Sequence, residues 1–349
     1  MSASLVATTQ GATLREMPTV GETLAGYRLE KVLGRGVLGM VFLAREQALA
    51  DRLVVLKVSR RRGTEHLAMA SLRHPHIMPI YAVHEEPERD LRILCMPYLG
   101  GATLSRILEV LGEQHPADRT LGGLLQVVDQ SFRGRGVEPN WSGPRQFLKG
   151  ASYHGAIAWI GACLAEALHA AHRSGIVHLD LNPSNILLAE DGQPMLLDFH
   201  LARPAVEQGT AYPERIGGTH GYMAPEHAEA FRALRERGVV ARRVDGRADI
   251  YSLGVVMFEA LGGSTPPGPD VKVAYLLRAN PKLGSGLAAA VTRCLAVDPA
   301  QRYQTGAELA ADLRCYLGPG LIALGGVNGQ AARHRRDRKS TRLNSSHSS

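Results

Sequence analysis

HLDLNPSNILLAEDGQPMLLDFH, residues 178–200, sets two short apolar runs between polar clusters. The runs, Ile186–Leu188 and Met195–Leu197, flank Asp191-Gly192, a dipeptide that supplies the positive-φ positions of a tight hairpin turn. A hairpin returns the end of its second strand to the start of its first, so Asn185 and Asp198 are predicted to lie side by side. An amide oxygen and a carboxylate at one edge suit Mg²⁺, which takes a few protein oxygens and completes its shell with water and phosphate. Asp180 sits at the same end, where it can act as a base. From these residues alone, an ordinary hairpin with polar ends is the competing reading.

Upstream, Gly26 to Lys57 reads GYRLEKVLGRGVLGMVFLAREQALADRLVVLK. Two β-like runs flank Gly34, Gly36 and Gly39, with Val41 next in alternation. Glycines so spaced let backbone N–H groups approach phosphate oxygens without interference from a Cβ. A dinucleotide-binding fold would place a helix after this loop; a second strand follows instead. The run Leu53–Leu56 then ends in Lys57, whose ammonium at the end of a buried strand needs a negative partner. Downstream of the hairpin lie GTHGYMAPE (218–226) and RADIYSLGVVMFEALGG (247–263), then DPAQRY (298–303).

In this order the motifs resemble the eukaryotic-like serine/threonine protein kinases of the kind found in bacteria, over roughly Tyr27 to Leu317. The resemblance implies an α+β, bilobal protein-kinase fold: a small β-rich N-lobe with one main helix, and a larger, mainly helical C-lobe. It also implies ATP and Mg²⁺ as cofactors and a protein Ser/Thr hydroxyl as acceptor. Asp180 would orient the acceptor and take its proton. Lys57, paired with Glu65, would hold the α and β phosphates, and Asn185 and Asp198 would hold the metal. Gly34, Gly36 and Gly39 would cover the phosphates. Leu33, Val41, Val55 and Leu187 would sandwich adenine, with Met96 as gatekeeper and Tyr98 and Leu99 offering backbone groups at the hinge. Asp249 would anchor the catalytic loop backbone, and Arg302 would pair with Glu226.

Four features depart from the family. Lys57 and Glu65 are only eight residues apart, a short link. Asn182 stands where the resemblance implies a lysine at the transferred phosphate. Leu179 replaces the arginine that would grip a phosphorylated activation loop, so phosphate on Thr210, Tyr212 or Thr219 would lack that partner. His200 replaces glycine, introducing a Cβ where free φ is usual. The expected activity is transfer of the γ-phosphoryl of ATP to protein hydroxyls, independent of activation-loop phosphorylation. The alternative is a weakly active or inactive ATP-binding scaffold.

The 349 residues divide into an expected flexible leader (1–25), a kinase domain (26–317) and a linker (318–336). Within the domain the N-lobe covers about 26–96, the hinge 97–101 and the C-lobe 102–317, with an insertion at 105–150 expected to decorate the surface. Residues 337–347, DRKSTRLNSSH, match the translation of a common sequencing-library adapter. Residues 337–349 are therefore expected to be read-through, with the native chain continuing past about Arg336. Without the three basic and one acidic residues there, the formal charge falls from +7 to +5. That surplus, with no aromatic-interleaved basic stripe, does not call for a nucleic-acid partner. No run approaches the ~20 apolar residues of a membrane span, and the N-terminus lacks a signal-peptide pattern. A cytoplasmic location is expected, with membrane contact only through a missing C-terminal region. Cys95, Cys163, Cys294 and Cys315 have neither disulfide-frame nor zinc spacing.

Overall fold

The computed structural model describes residues 17–36, 39–61, 67, 70–130, 144–148, 150–211, 217–268 and 270–317. Six strands form one antiparallel sheet in the order β1-β2-β3-β4-β6-β5: β1 (Thr23–Leu24), β2 (Tyr27–Gly36), β3 (Gly39–Glu46), β4 (Arg52–Arg60), β5 (Ala82–Glu86) and β6 (Leu91–Pro97). Alternation gives the sheet two faces. Phe42 and Ala44, Val54, Leu56 and Val58, and Leu91, Ile93 and Cys95 bury one face with Leu24, Tyr27 and Leu29 as the N-lobe core. The register pairs Val41 with Lys57, Lys57 with Leu94, and Val55 with Met96. These residues therefore share the opposite face, which looks toward the rest of the chain.

A second, three-stranded sheet joins β7 (Ala102–Thr103), β8 (Ile186–Leu188) and β9 (Pro194–Leu196). The β8–β9 connection differs from the predicted tight turn with positive φ at both Asp191 and Gly192. The second strand begins one residue earlier, and five residues, 189–193, make the loop. Only Gly192 takes a positive φ, +85°. Asp191 instead caps the loop, its Oδ1 accepting from the Gln193 amide at 2.9 Å. The hairpin still returns Leu197 to Asn185, whose carbonyl accepts the Leu197 amide at 2.8 Å. Residues 76–78 run beside β9, with Leu196 N donating to His76 O (2.8 Å) and Met78 N to Leu196 O (2.9 Å). This pairing ties the N-lobe side of the chain to the hairpin.

The helical part comprises α1 (Leu104–Leu111), α2 (Leu121–Gln130), α3 (Pro144–Leu148), α4 (Tyr153–Arg173), α5 (Pro225–Arg237), α6 (Arg247–Gly262), α7 (Val273–Ala279), α8 (Ser285–Cys294) and α9 (Gly306–Arg314). Helix α4 starts at Ser152, whose hydroxyl accepts the Gly155 amide at 3.0 Å, an N-cap. Sequence periodicity predicts one apolar stripe on this helix; the structure buries nearly its whole circumference, against α6 and α9. A helix enclosed on all sides needs apolar or small residues all round, which its alanines supply.

The segment expected to decorate the surface is instead part of the main core. Ile107, Leu111, Leu124, Val128 and Leu148 are all buried in it. Arg145 of α3 is fully buried; its Nη1 donates to Glu190 O at 2.7 Å and its Nη2 pairs with Asp129. Its amide donates to Asp191 O at 2.9 Å. The supposed insertion thus braces the turn of the hairpin. All four cysteines are free thiols. Among the described residues no helix is long and apolar enough to cross a membrane. Residues 318–349, with the adapter-like tail, lie outside the described residues.

Candidate active site

The Lys57 ammonium, at the cleft face of β4, lies 2.6 Å from Asp198 Oδ1, 141 residues later in the chain. The same oxygen accepts His200 Nδ1 at 2.7 Å and the His200 amide at 3.2 Å. Burial raises the cost of the Asp198 charge, but the Lys57 and His200 contacts outweigh it and hold the carboxyl far below the usual range. Asn185 donates Nδ2 to Asp180 O (2.8 Å) and to Asp180 Oδ2 (3.2 Å). Asp180 Oδ1 accepts Thr219 Oγ1 at 2.7 Å and Asn182 Nδ2 at 3.3 Å. Lys57, Asp198, Asn185 and Asp180, scattered over three motifs, thus converge in one place.

These residues fit a hard cation. Among the described residues, no protein donor falls on Asn185 Oδ1 or Asp198 Oδ2. Two oxygen donors at a hairpin edge leave most of a cation's shell to water and phosphate, the Mg²⁺ pattern. The glycine loop fits phosphate in the same way. A Cβ built on Gly34 or Gly36 meets nothing within 4 Å, so the fold itself does not demand glycine there. At Gly39 it does: φ is +155° and a Cβ would lie 2.1 Å from Val58 O. Gly39→Ala is accordingly expected to destabilise the fold by about 1–3 kcal/mol. Gly34→Ala and Gly36→Ala should leave the unfolding midpoint in place and weaken nucleotide binding. Urea unfolding and nucleotide titration of the three variants separate the two roles.

The predicted adenine-contacting residues fall on the two sheets. Val41, Val55 and Met96 are half-buried on the open face of the sheet, and Leu187 is half-buried on β8 below. Leu33 is 45% exposed, a large apolar side chain only partly covered by the protein. At the hinge, half-buried Tyr98 and Leu99 follow β6. The Leu99 carbonyl accepts the Glu190 amide at 3.2 Å, and among the described residues its own amide has no acceptor. Glu65, predicted to pair with Lys57, lies outside the described residues.

Two buried carboxylates carry the scaffold. Asp249, on α6, accepts the His178 amide (2.8 Å) and the Leu179 amide (2.9 Å), and His172 Nε2 lies 2.8 Å from its Oδ2. Burial opposes ionisation here too, but the His172 contact and the loop amides depress the carboxyl below its ordinary 3.8. Leu179 sits at φ +63°, a left-handed conformation that costs an L-residue about 1–2 kcal/mol. Asp249→Ala would leave two buried amides unsatisfied at about 1–3 kcal/mol each. It is expected to lower stability in denaturant and loosen the 178–180 backbone, read by hydrogen exchange. Because the folded carboxyl is depressed, its contribution to stability is full above about pH 4 and is lost as pH falls below that. The second carboxylate, Glu226, takes both arms of the fully buried Arg302 at 2.7 and 2.8 Å.

Other contacts were not legible in the sequence. Thr219, where a phosphate would lack an arginine partner, turns its hydroxyl inward to Asp180. Its position in the GTHGYMAPE run was the available signal. His200 does not adopt the positive φ that glycine would permit; the left-handed turn falls at Asp198, φ +53°. The activation segment is held by backbone. Val206 and Val244 exchange two hydrogen bonds of 2.9 Å, Gly209 N donates to Val240 O (2.9 Å), and Val240 N donates to Thr210 O (3.0 Å). This ladder uses residues 240–244 after α5, and Arg243 adds an ion pair to Glu207 at 3.2 Å. Tyr212 lies outside the described residues.

The chain is similar to several known proteins. The protein kinase domain family matches residues 147–309, and a phosphotransferase enzyme family matches residues 40–206. The serine/threonine-protein kinase PknB of Mycobacterium tuberculosis is 31% identical over 313 residues, covering 82% of this chain and 42% of the relative. Serine/threonine-protein kinase PrkC of Bacillus subtilis is 26% identical over 318 residues, covering 84% and 41%. The DNA damage-responsive serine/threonine-protein kinase RqkA of Deinococcus radiodurans is 30% identical over 316 residues, covering 84% and 40%. The chain therefore spans about two fifths of the length of these curated relatives. The crystal structure of the Mycobacterium tuberculosis PknI kinase domain superposes with a TM-score of 0.55 at 23% identity, covering 86% of this chain and 99% of that one. With the bilobal protein-kinase fold and the motifs in order, this chain belongs to the eukaryotic-like serine/threonine protein kinases of the bacterial type.

Proposed function

We propose that the chain transfers the γ-phosphoryl of Mg·ATP to serine or threonine hydroxyls of a protein substrate, as a cytoplasmic kinase domain. The observation that carries this reading is the 2.6 Å contact of Lys57 with Asp198 beside Asn185 and Asp180. Asn185 Oδ1 and Asp198 Oδ2 would hold Mg²⁺, which screens the phosphate charge. Lys57 holds the α and β phosphates, and Gly34, Gly36 and Gly39 let the backbone close over them. Asp180 accepts the proton of the acceptor hydroxyl as its oxygen bonds to the γ-phosphorus and the bond to ADP breaks. Most of the catalysis is positioning and charge neutralisation, so the hydrogen-bonded frame around Asp180 matters as much as its basicity.

The acceptor is proposed to be a protein. A groove of about 690 Å³ is lined by Gly218, Met223, Pro225, Phe231 and Arg232. It adjoins Thr219, whose hydroxyl touches Asp180. A chain lying in it would bring a neighbouring hydroxyl to the base. Calorimetric titration with ATP, with and without Mg²⁺, tests the nucleotide half of the reading. Mg²⁺-dependent binding is expected, and its absence would overturn the reading.

The backbone ladder between 206–210 and 240–244 supplies the order that a phosphate–arginine contact at position 179 cannot. Phosphatase treatment and Thr210→Ala are therefore expected to leave the transfer rate unchanged. A gain in activity that follows phosphate on this segment would refute the point.

Asn182 favours a second reading, an ATP-binding scaffold with little turnover. Its amide donates to Asp180 O (3.1 Å) and Thr219 Oγ1 (3.0 Å) and brings no charge. Loss of one cation at the transferred group costs about 10²–10³ in rate where such groups have been removed singly.

A further inference from the structure

We propose that His200 is a positioning residue that fixes Asp180 relative to Asp198, a part that the glycine expected here could not play. The inference rests on the kinase reading and deepens it. The imidazole is 10% exposed and spans the two carboxylates, with Nδ1 2.7 Å from Asp198 Oδ1 and Nε2 3.7 Å from Asp180 Oδ2. The ring has little freedom. The Asp198 carboxylate accepts both its Nδ1–H and the His200 amide (3.2 Å), closing a short loop that sets the side-chain direction. Asp198 is itself fixed by Lys57 at 2.6 Å. A relay of contacts thus runs by hydrogen bonds from Lys57 through Asp198 to His200, and by packing of the ring against Asp180 at 3.7 Å, beyond hydrogen-bond length.

This relay answers two substitutions in the catalytic loop. Leu179 and Asn182 remove two side-chain charges that the family places around Asp180. What remains there is neutral hydrogen bonding from Thr219, Asn182 and Asn185. His200 closes the one side of Asp180 that faces the metal carboxylate. It uses Oδ1 of Asp198 and leaves Oδ2 to a cation, so cation binding and the relay are compatible on one carboxylate. The backbone raises no objection to a side chain here, because His200 does not occupy the left-handed region.

Alignment acts on the transition state more than on the ground state, and a misplacement of about 1 Å can cost 10²-fold in rate. His200→Gly and His200→Asn are the informative variants. Asparagine keeps a donor beside Asp198 Oδ1 but cannot reach Asp180. Both variants are expected to bind Mg·ADP as the wild type does. Both should bind the complex of ADP, Mg²⁺ and aluminium fluoride, which mimics the transferring phosphoryl, at least about tenfold more weakly. Their kcat should fall by about 10–10² with little change in KM for ATP. The unfolding midpoint confirms that each variant is folded. Asparagine or glycine variants with wild-type affinity for the aluminium fluoride complex, or with raised kcat, would overturn the proposal. Wild-type protein that fails to bind Mg·ADP would instead overturn the kinase reading on which it rests.

Discussion

Asp180→Asn is expected to bind Mg·ATP as tightly as the wild-type chain and to transfer its phosphoryl group about 10²–10⁴ times more slowly, the range attached to a positioned general base. The geometry explains why the two effects separate. Asp180 is 8% exposed and each of its oxygens already accepts donors: Thr219 and Asn182 on Oδ1, Asn185 on Oδ2. It takes no part in the Lys57 contact, and the proposed cation oxygens belong to Asn185 and Asp198. The amide is nearly isosteric, so the fold should persist and nucleotide affinity should hold. Its cost is local: the new NH₂ faces donors, and the proton acceptor is gone. A variant that retained transfer within a few-fold would remove Asp180 from the role of base. Loss of nucleotide binding would show that Asp180 also shapes the metal site.

Asp198→Asn is expected to have the larger effect on binding. Asp198 is touched by both Lys57 and His200, at 2.6 and 2.7 Å. Neutralising it removes a counter-charge of the phosphate-holding lysine and one of the two proposed cation oxygens together. Mg²⁺-dependent enhancement of ATP affinity should disappear, and transfer should fall by at least about 10²–10³. The depressed carboxyl also shapes the pH response. Burial works against its ionisation, and the Lys57 ammonium and the His200 hydrogen bond prevail, so Asp198 stays charged throughout the range in which the folded chain is studied. No acidic limb of a rate profile between about pH 5 and 8 should therefore belong to Asp198. The fit of ATP affinity against Mg²⁺ concentration, wild type against variant, checks the first claim. Equal Mg²⁺ dependence in both would place the cation elsewhere.

The parts of this site that the sequence displays are those whose geometry is local or whose spacing follows a motif. Asn185 and Asp198 flank one hairpin, and a hairpin can be read from two apolar runs and a turn residue even when the turn itself is misjudged. The structure lengthens that turn to five residues and shifts one strand, but the return of Leu197 to Asn185 survives both changes. Lys57 shows as a polar residue ending a buried strand, which signals a partner without naming it. Contacts set by tertiary packing leave no such trace. The chain between Lys57 and Asp198, 141 positions apart, carries no periodicity that predicts 2.6 Å. Thr219 looks like an exposed loop hydroxyl until α5 and α6 fix the segment around it. The ladder between 206–210 and 240–244 joins short, irregular stretches whose pattern resembles no strand. The residues at 105–150 read as decoration because Gly, Pro, Arg and Gln interrupt their text, yet the Leu, Ile and Val residues between them enter the core. His200 was legible as a departure from glycine. That its ring would lie between two carboxylates depended on rotamer and backbone together, which no spacing rule supplies.

The central claim is that the cleft holding Lys57, Asp180, Asn185 and Asp198 moves a phosphoryl group from Mg·ATP to a hydroxyl. Incubation of the wild-type chain with γ-labelled ATP and a mixed acceptor protein, followed by phosphoamino-acid analysis, tests it most directly. The account predicts label on serine or threonine that requires Mg²⁺, disappears on chelation, and falls to background with Asp180→Asn. Wild-type protein that binds Mg·ATP yet yields no label above that background would contradict it, leaving a nucleotide-binding scaffold in place of an enzyme.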